Sequence, residues 1–76
     1  MTAGLPVVTP RKLIAALERA GFVIARTSGS HYLLRHPADP ARSVTVAYHA
    51  STLKPKTLRS ILRQARLTAD ELNELP

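Results

Sequence analysis

Apolar residues recur every three or four positions at Leu13, Ile14, Leu17 and Ala20, the period of one buried helix face. Thr9 and Pro10 stand just ahead of that run. A threonine there accepts from a free amide of the first turn, and proline at the first helical position gives up a donor that has no partner anyway. Gly21 supplies the stop, so these residues predict a helix over about 10–20. The pattern then switches to shorter β-prone runs. Phe22 to Arg26 reads as a strand, Thr27-Ser28-Gly29-Ser30 as a turn, and Tyr32 to His36 as a second strand ended by Pro37. His36-Pro37-Ala38-Asp39-Pro40 reads as a turn-rich connection, because each proline disfavours helix at the residue before it. Arg42 to Tyr48 alternates with period two and predicts a third strand. Helical spacing returns at Leu58, Ile61, Leu62 and Ala65 behind Pro55, for a second helix over about 55–66. Thr68-Ala69-Asp70-Glu71 has the spacing of a capping box and opens a short last helix with Leu72 and Leu75.

The order α-β-β-β-α-α predicts an α+β fold, a three-stranded antiparallel sheet with helices packed on one face. If residues 36 and 42 pair across the second hairpin, 34 lies opposite 44, 32 opposite 46 and 31 opposite 47. Tyr32, Leu34, Val44 and Val46 then share an apolar face that meets the helices. His31, Leu33, Arg35, Ser43, Thr45, Ala47 and His49 fall on the other, polar and open. In that register His49 is diagonal to His31, about 7–8 Å away.

Seventy-six residues suit one domain spanning 1–76, with 1–8 expected to be a flexible N-terminus. Hydrophobic residues make up 45%, but the aromatics are only Phe22, Tyr32 and Tyr48 and many of the rest are alanine. The core must therefore be built from Leu, Ile and Val, and marginal stability is expected. Charge adds more. Residues 1–67 hold all eleven cations and only Glu18 and Asp39, a net +9, whereas the acids Asp70, Glu71 and Glu74 give the last nine residues −3. Such a basic body attracts polyanions, with nucleic acid or an acidic protein as the natural partner. The absence of cysteine excludes disulfides and thiolate metal sites. No signal-like or membrane-spanning run appears, and a cytoplasmic protein is expected.

Two groups of residues carry candidate chemistry. Gly29-Ser30-His31 puts an imidazole, which exchanges protons near neutral pH, at the mouth of a tight turn. Cutting RNA needs a base for the ribose 2′-OH or an acid for the leaving oxygen, plus cations for the phosphate. His49 suits a second proton carrier or a phosphate donor, and equally a surface residue at a strand end. His36 falls on the opposite face before proline, which favours a packing or turn role. The three histidines are spread over both faces with no carboxylate at ligand spacing, so no metal site is predicted. No nucleophilic-serine pattern or phosphate-binding glycine loop appears. On the second helix, Lys56, Arg59, Arg63 and Arg66 fall within roughly 80° of one another, away from the apolar stripe. Lys54 and Lys56 sit at its N-terminal end, where free amides already favour phosphate. The RNA-binding candidates are thus Gly29, Ser30, Arg35, His49, Lys54, Lys56, Arg59 and Arg63, with His31 as the catalytic candidate.

Ala20-Gly21-Phe22, Arg26-Thr27-Ser28-Gly29-Ser30-His31, His36-Pro37, Val44-Thr45-Val46 and the run from Leu53 to Leu62, at their spacing, resemble the HicA toxins. These are small mRNA interferases of bacterial and archaeal type II toxin–antitoxin systems. The resemblance runs from about residue 10 to residue 75. It implies a fold like a double-stranded RNA-binding domain, metal-independent cleavage of mRNA without a cofactor, and His31 as the catalytic residue. It also implies a HicB-type antitoxin that covers or distorts the site. The chain departs from the family pattern at Lys56, where glycine is usual, and at Ala47, where proline is frequent. Two other readings use the same cations. A non-catalytic module of this layout would read RNA by shape and phosphate contacts, and an interaction protein would dock an acidic partner, with Leu33 beside His31 as an apolar contact point.

Overall fold

The computed structural model describes residues 4–74. Helix α1 (Pro10–Arg19) starts at Thr9, whose Oγ1 accepts from the Lys12 amide at 3.3 Å. It ends in a Schellman motif. Gly21 takes a φ of +103°, its amide reaches the Glu18 carbonyl, and the Phe22 amide reaches the Leu17 carbonyl, both at 3.0 Å. Phe22 then leaves the backbone free to start strand β1 (Val23–Ser28) one residue later than its own β-prone character suggests. Its ring is 2% exposed and plugs the core.

Strands β2 (His31–His36) and β3 (Asp39–Ala47) complete an antiparallel sheet in the order β1-β2-β3. The register on β3 is the expected one from Leu34↔Val44 through Tyr32↔Val46 to His31↔Ala47. At the other end it differs. His36 pairs with Asp39, not residue 42, so Pro37 and Ala38 alone make the turn and β3 starts three residues early. Side chains make the short turn possible: His36 Nδ1 accepts from the Ala38 amide and Asp39 Oδ1 from the Ala41 amide, both at 3.2 Å. The surplus residues are absorbed as a register shift between Arg35 and His36. Pro40, which has no amide to donate, is tolerated because β3 is an edge strand.

Helix α2 (Pro55–Ala65) and helix α3 (Ala69–Glu74) follow. The capping box of α3 is formed in both directions, Thr68 amide to Glu71 Oε1 at 2.9 Å and Glu71 amide to Thr68 Oγ1 at 3.0 Å. Leu72 is buried, while Leu75, also expected in this helix, lies outside the described residues. Arg66 is not the last helical residue but a left-handed cap with φ of +57°, and the Leu67 amide reaches back to the Leu62 carbonyl.

Leu34, Val44 and Val46 present one face of the sheet to Leu13 and Leu17 of α1 and to Leu58, Ile61, Leu62 and Ala65 of α2, which makes the α+β layering expected from the pattern. Burying a leucine or valine in this way stabilises by roughly 1.5–3 kcal/mol each. Within the stretch expected to be flexible, Leu5 and Val8 pack against this core. The Val8 carbonyl accepts from Leu53 at 2.8 Å and Asn73 reaches the Gly4 carbonyl at 3.3 Å, so both contacts tie this segment to the second half of the chain.

Candidate functional site

The turn that opens β2 has two residues, and Gly29, the first of them, takes a φ of +57°, the place where hairpins of this length favour glycine. Pairing of Ser28 with His31 closes the hairpin at once. His31 therefore emerges at the first position of a strand, exposed, on the face opposite Leu34. Thr45 and Ala47 of β3 share that face.

Helix α2 packs against β3, an edge strand, and its flank continues past the edge. The expected open face is consequently walled at this end. His31, Thr45 and Ala47 form one side of a groove of about 400 Å³, and Lys56, Thr57, Ser60 and Gln64 form the other. Leu53 and Ile61, 8% and 4% exposed, make its apolar floor. Thr57, Ser60 and Gln64 lie on the helix beside the buried stripe of Leu58, Ile61 and Ala65, which is why one packing arrangement sets both the core and the groove wall. Gln64 Nε2 donates to Ser60 Oγ at 3.4 Å.

His49 lines the same groove. It lies two residues beyond the end of β3, but the ladder continues past the strand: the Tyr48 amide donates to the Ser30 carbonyl at 2.6 Å. The Tyr48 ring meets Tyr32 at 5.3 Å between centroids. These two contacts hold the backbone of residues 48 and 49 against the His31 hairpin.

The family described as HicA toxin of bacterial toxin–antitoxin systems matches residues 10–67, more than half of the chain. The chain belongs to the HicA toxin family. A comparison with curated proteins gives no match. The HicA match takes in both helices that build the core, the whole sheet, the Gly29-Ser30-His31 turn and the groove wall on α2. A HicA chain is the toxin of a toxin–antitoxin pair, and an antitoxin is its implied partner.

Not all candidate residues of this HicA domain converge. His31, His49 and Lys56 share the groove. Lys54 borders an adjoining cleft that also contains His49. Gly29 and Ser30 lie in the turn that sets the position of His31, without lining the groove. Arg35 is on the same face as His31 but four residues along β2, about 13 Å away at strand rise, and outside the groove. Arg59 and Arg63 line a different cleft on the far flank of α2, beside Leu5 and Leu62. The four-residue cationic stripe is broken as well. Arg66, turned off the helix by its left-handed φ, pairs with Asp39 at 3.5 Å.

His36 plays the packing role its position suggested. Its ring meets Phe22 edge-on at 5.2 Å, and the Arg42 guanidinium lies over that same Phe22 ring, 5.2 Å from its centroid, while Arg42 Nε donates to the Ala65 carbonyl at 2.8 Å. Sequence reasoning did not single out Thr57, Ser60 and Gln64. Their signal was present as a polar row at helical period next to the apolar one. Arg11 and Lys12 were also missed, and they border a third cleft that reaches His49. Among the described residues no three His, Asp or Glu side chains gather as a metal cluster, and no helix is long and apolar enough to cross a membrane.

Proposed function

We propose that this HicA-family toxin is an mRNA interferase, an endoribonuclease that binds RNA along its basic surface and cleaves it at the His31 groove. The observation that carries the reading is an exposed imidazole facing Lys56 across a groove in a toxin of net charge +6. The chemistry follows from RNA itself. The ribose 2′-oxygen attacks the adjacent phosphorus, the 2′-O–P bond forms, and the P–O5′ bond breaks. His31 moves a proton in that exchange, while Lys56 balances the charge that builds on the phosphate. Groove walls of Thr45, Thr57, Ser60 and Gln64 supply hydroxyl and amide groups to the ribose and bases. The RNA is single-stranded or locally opened where it is cut, because the attacking oxygen must swing in line with the leaving one.

A HicB-type antitoxin in the cytoplasm then acts by covering this groove, and an acidic contact surface would suit the cations around it. Induced expression tests the function. The wild-type chain should arrest growth and fragment mRNA within minutes, and His31→Ala should accumulate as folded protein and do neither. A wild-type protein that binds RNA and leaves it whole would instead mark a non-catalytic RNA-binding module.

A further inference from the structure

Moving one proton is half of the proposed reaction. The 2′-OH must lose a proton and the departing O5′ must gain one, and the two oxygens leave and enter on opposite sides of the phosphorus. A single imidazole on one wall serves one of them. We infer that His49 is the second proton carrier of the groove, acting with His31 on the same phosphodiester; this rests on the nuclease reading above.

Three observations support the assignment. First, both imidazoles line one groove, and the Tyr48–Ser30 backbone bond holds their chain segments side by side. A groove of about 400 Å³ has room for a phosphate among its lining groups, with each ring offered to a different oxygen. Second, neither ring is committed to a structural bond among the described residues, whereas His36 spends Nδ1 on the Ala38 amide and its face on Phe22. Third, His49 is where three clefts meet. The groove brings it His31 and Lys56, the α1 side brings Tyr48, Arg11 and Lys12, and the start of α2 brings Lys54. Among the described residues no carboxylate lines any of the three, so an incoming phosphate meets no anionic competitor there for either imidazole.

The balance is complete without a co-reactant. One imidazole, neutral, takes the 2′-OH proton as the 2′-O–P bond forms. The other, protonated, gives its proton to O5′ as the P–O5′ bond breaks. The products are a 2′,3′-cyclic phosphate and a 5′-hydroxyl, and the pair is left with its protonation states exchanged.

The test separates a proton carrier from a group that merely holds phosphate. Single-turnover cleavage of a short labelled RNA is followed from about pH 5 to pH 9, the range in which imidazoles change charge. Lysine, arginine and tyrosine side chains ordinarily titrate well above it. The wild-type rate should be bell-shaped. His49→Gln should fall about 100-fold or more at the optimum and lose one limb of the bell. His49→Arg keeps a positive charge, so it should bind RNA within a few-fold of wild type and remain as slow as His49→Gln. Cleavage by His49→Arg near the wild-type rate, or a bell preserved in His49→Gln, would overturn the inference and leave the His31 nuclease standing. No cleavage by the wild-type protein would remove the nuclease reading itself and this inference with it.

Discussion

His31 owes its position to a single backbone torsion. Gly29 sits at φ +57°, and a Cβ built there meets nothing within 4 Å, so a side chain would be opposed by the torsion alone. Gly29→Ala should therefore lower stability by about 1–2 kcal/mol, read from urea unfolding. Gly21 is a different case. Its φ is +103° and a Cβ would stand 2.9 Å from Nε2 of His36, whose ring is held against Phe22. Gly21→Ala should be the more damaging of the two, and adding His36→Ala should relieve the steric part while leaving the torsional part. If both alanine variants unfold at the same urea concentration, the His36 contact is not restraining position 21.

At the scale of elements, both ends of α1 and the start of α3 were legible because their signals are local. Thr9 with Lys12, Gly21 with Glu18, and Thr68 with Glu71 are all partners three residues apart, so sequence spacing alone names them. The central register was legible too, since Leu34, Val44 and Val46 have to share the buried face. The second hairpin was not. Its short turn depends on His36 and Asp39 lending side-chain acceptors to the Ala38 and Ala41 amides, a choice that hydrophobic pattern does not reveal. Arg66 was misassigned for a similar reason: arginine gives no hint of a left-handed cap. Its pair with Asp39 is exposed at 64% and 40%, so it contributes little. Arg66→Gly should accordingly hold stability or raise it by up to about 1 kcal/mol, measured by thermal or urea unfolding, because glycine takes that φ without strain. The groove was beyond reach for a larger reason. It exists only because α2 overhangs the β3 edge, and that offset is set by tertiary packing of Leu58, Ile61 and Ala65.

For the whole molecule, charge and shape do different work. Eleven cations on 76 residues give long-range attraction to RNA, but only Lys56 lies in the groove with His31, while Arg59 and Arg63 line the far flank of the same helix. RNA affinity should fall steeply with salt, since each phosphate contact releases counterions. Arg59→Ala and Arg63→Ala should each weaken binding alike across RNA sequences and lower the salt slope by about one contact, checked by titrating labelled RNA at several ionic strengths. If the slope is unchanged, the far flank is no part of the RNA path. The central claim concerns the groove, and one measurement addresses it directly: the cleavage rate of a short labelled RNA by purified wild-type protein and by His31→Ala, each shown to be folded and to bind that RNA. The account predicts cutting by the wild type and a loss of about 100-fold or more in the variant, with binding retained. Equal cutting by both proteins would contradict it.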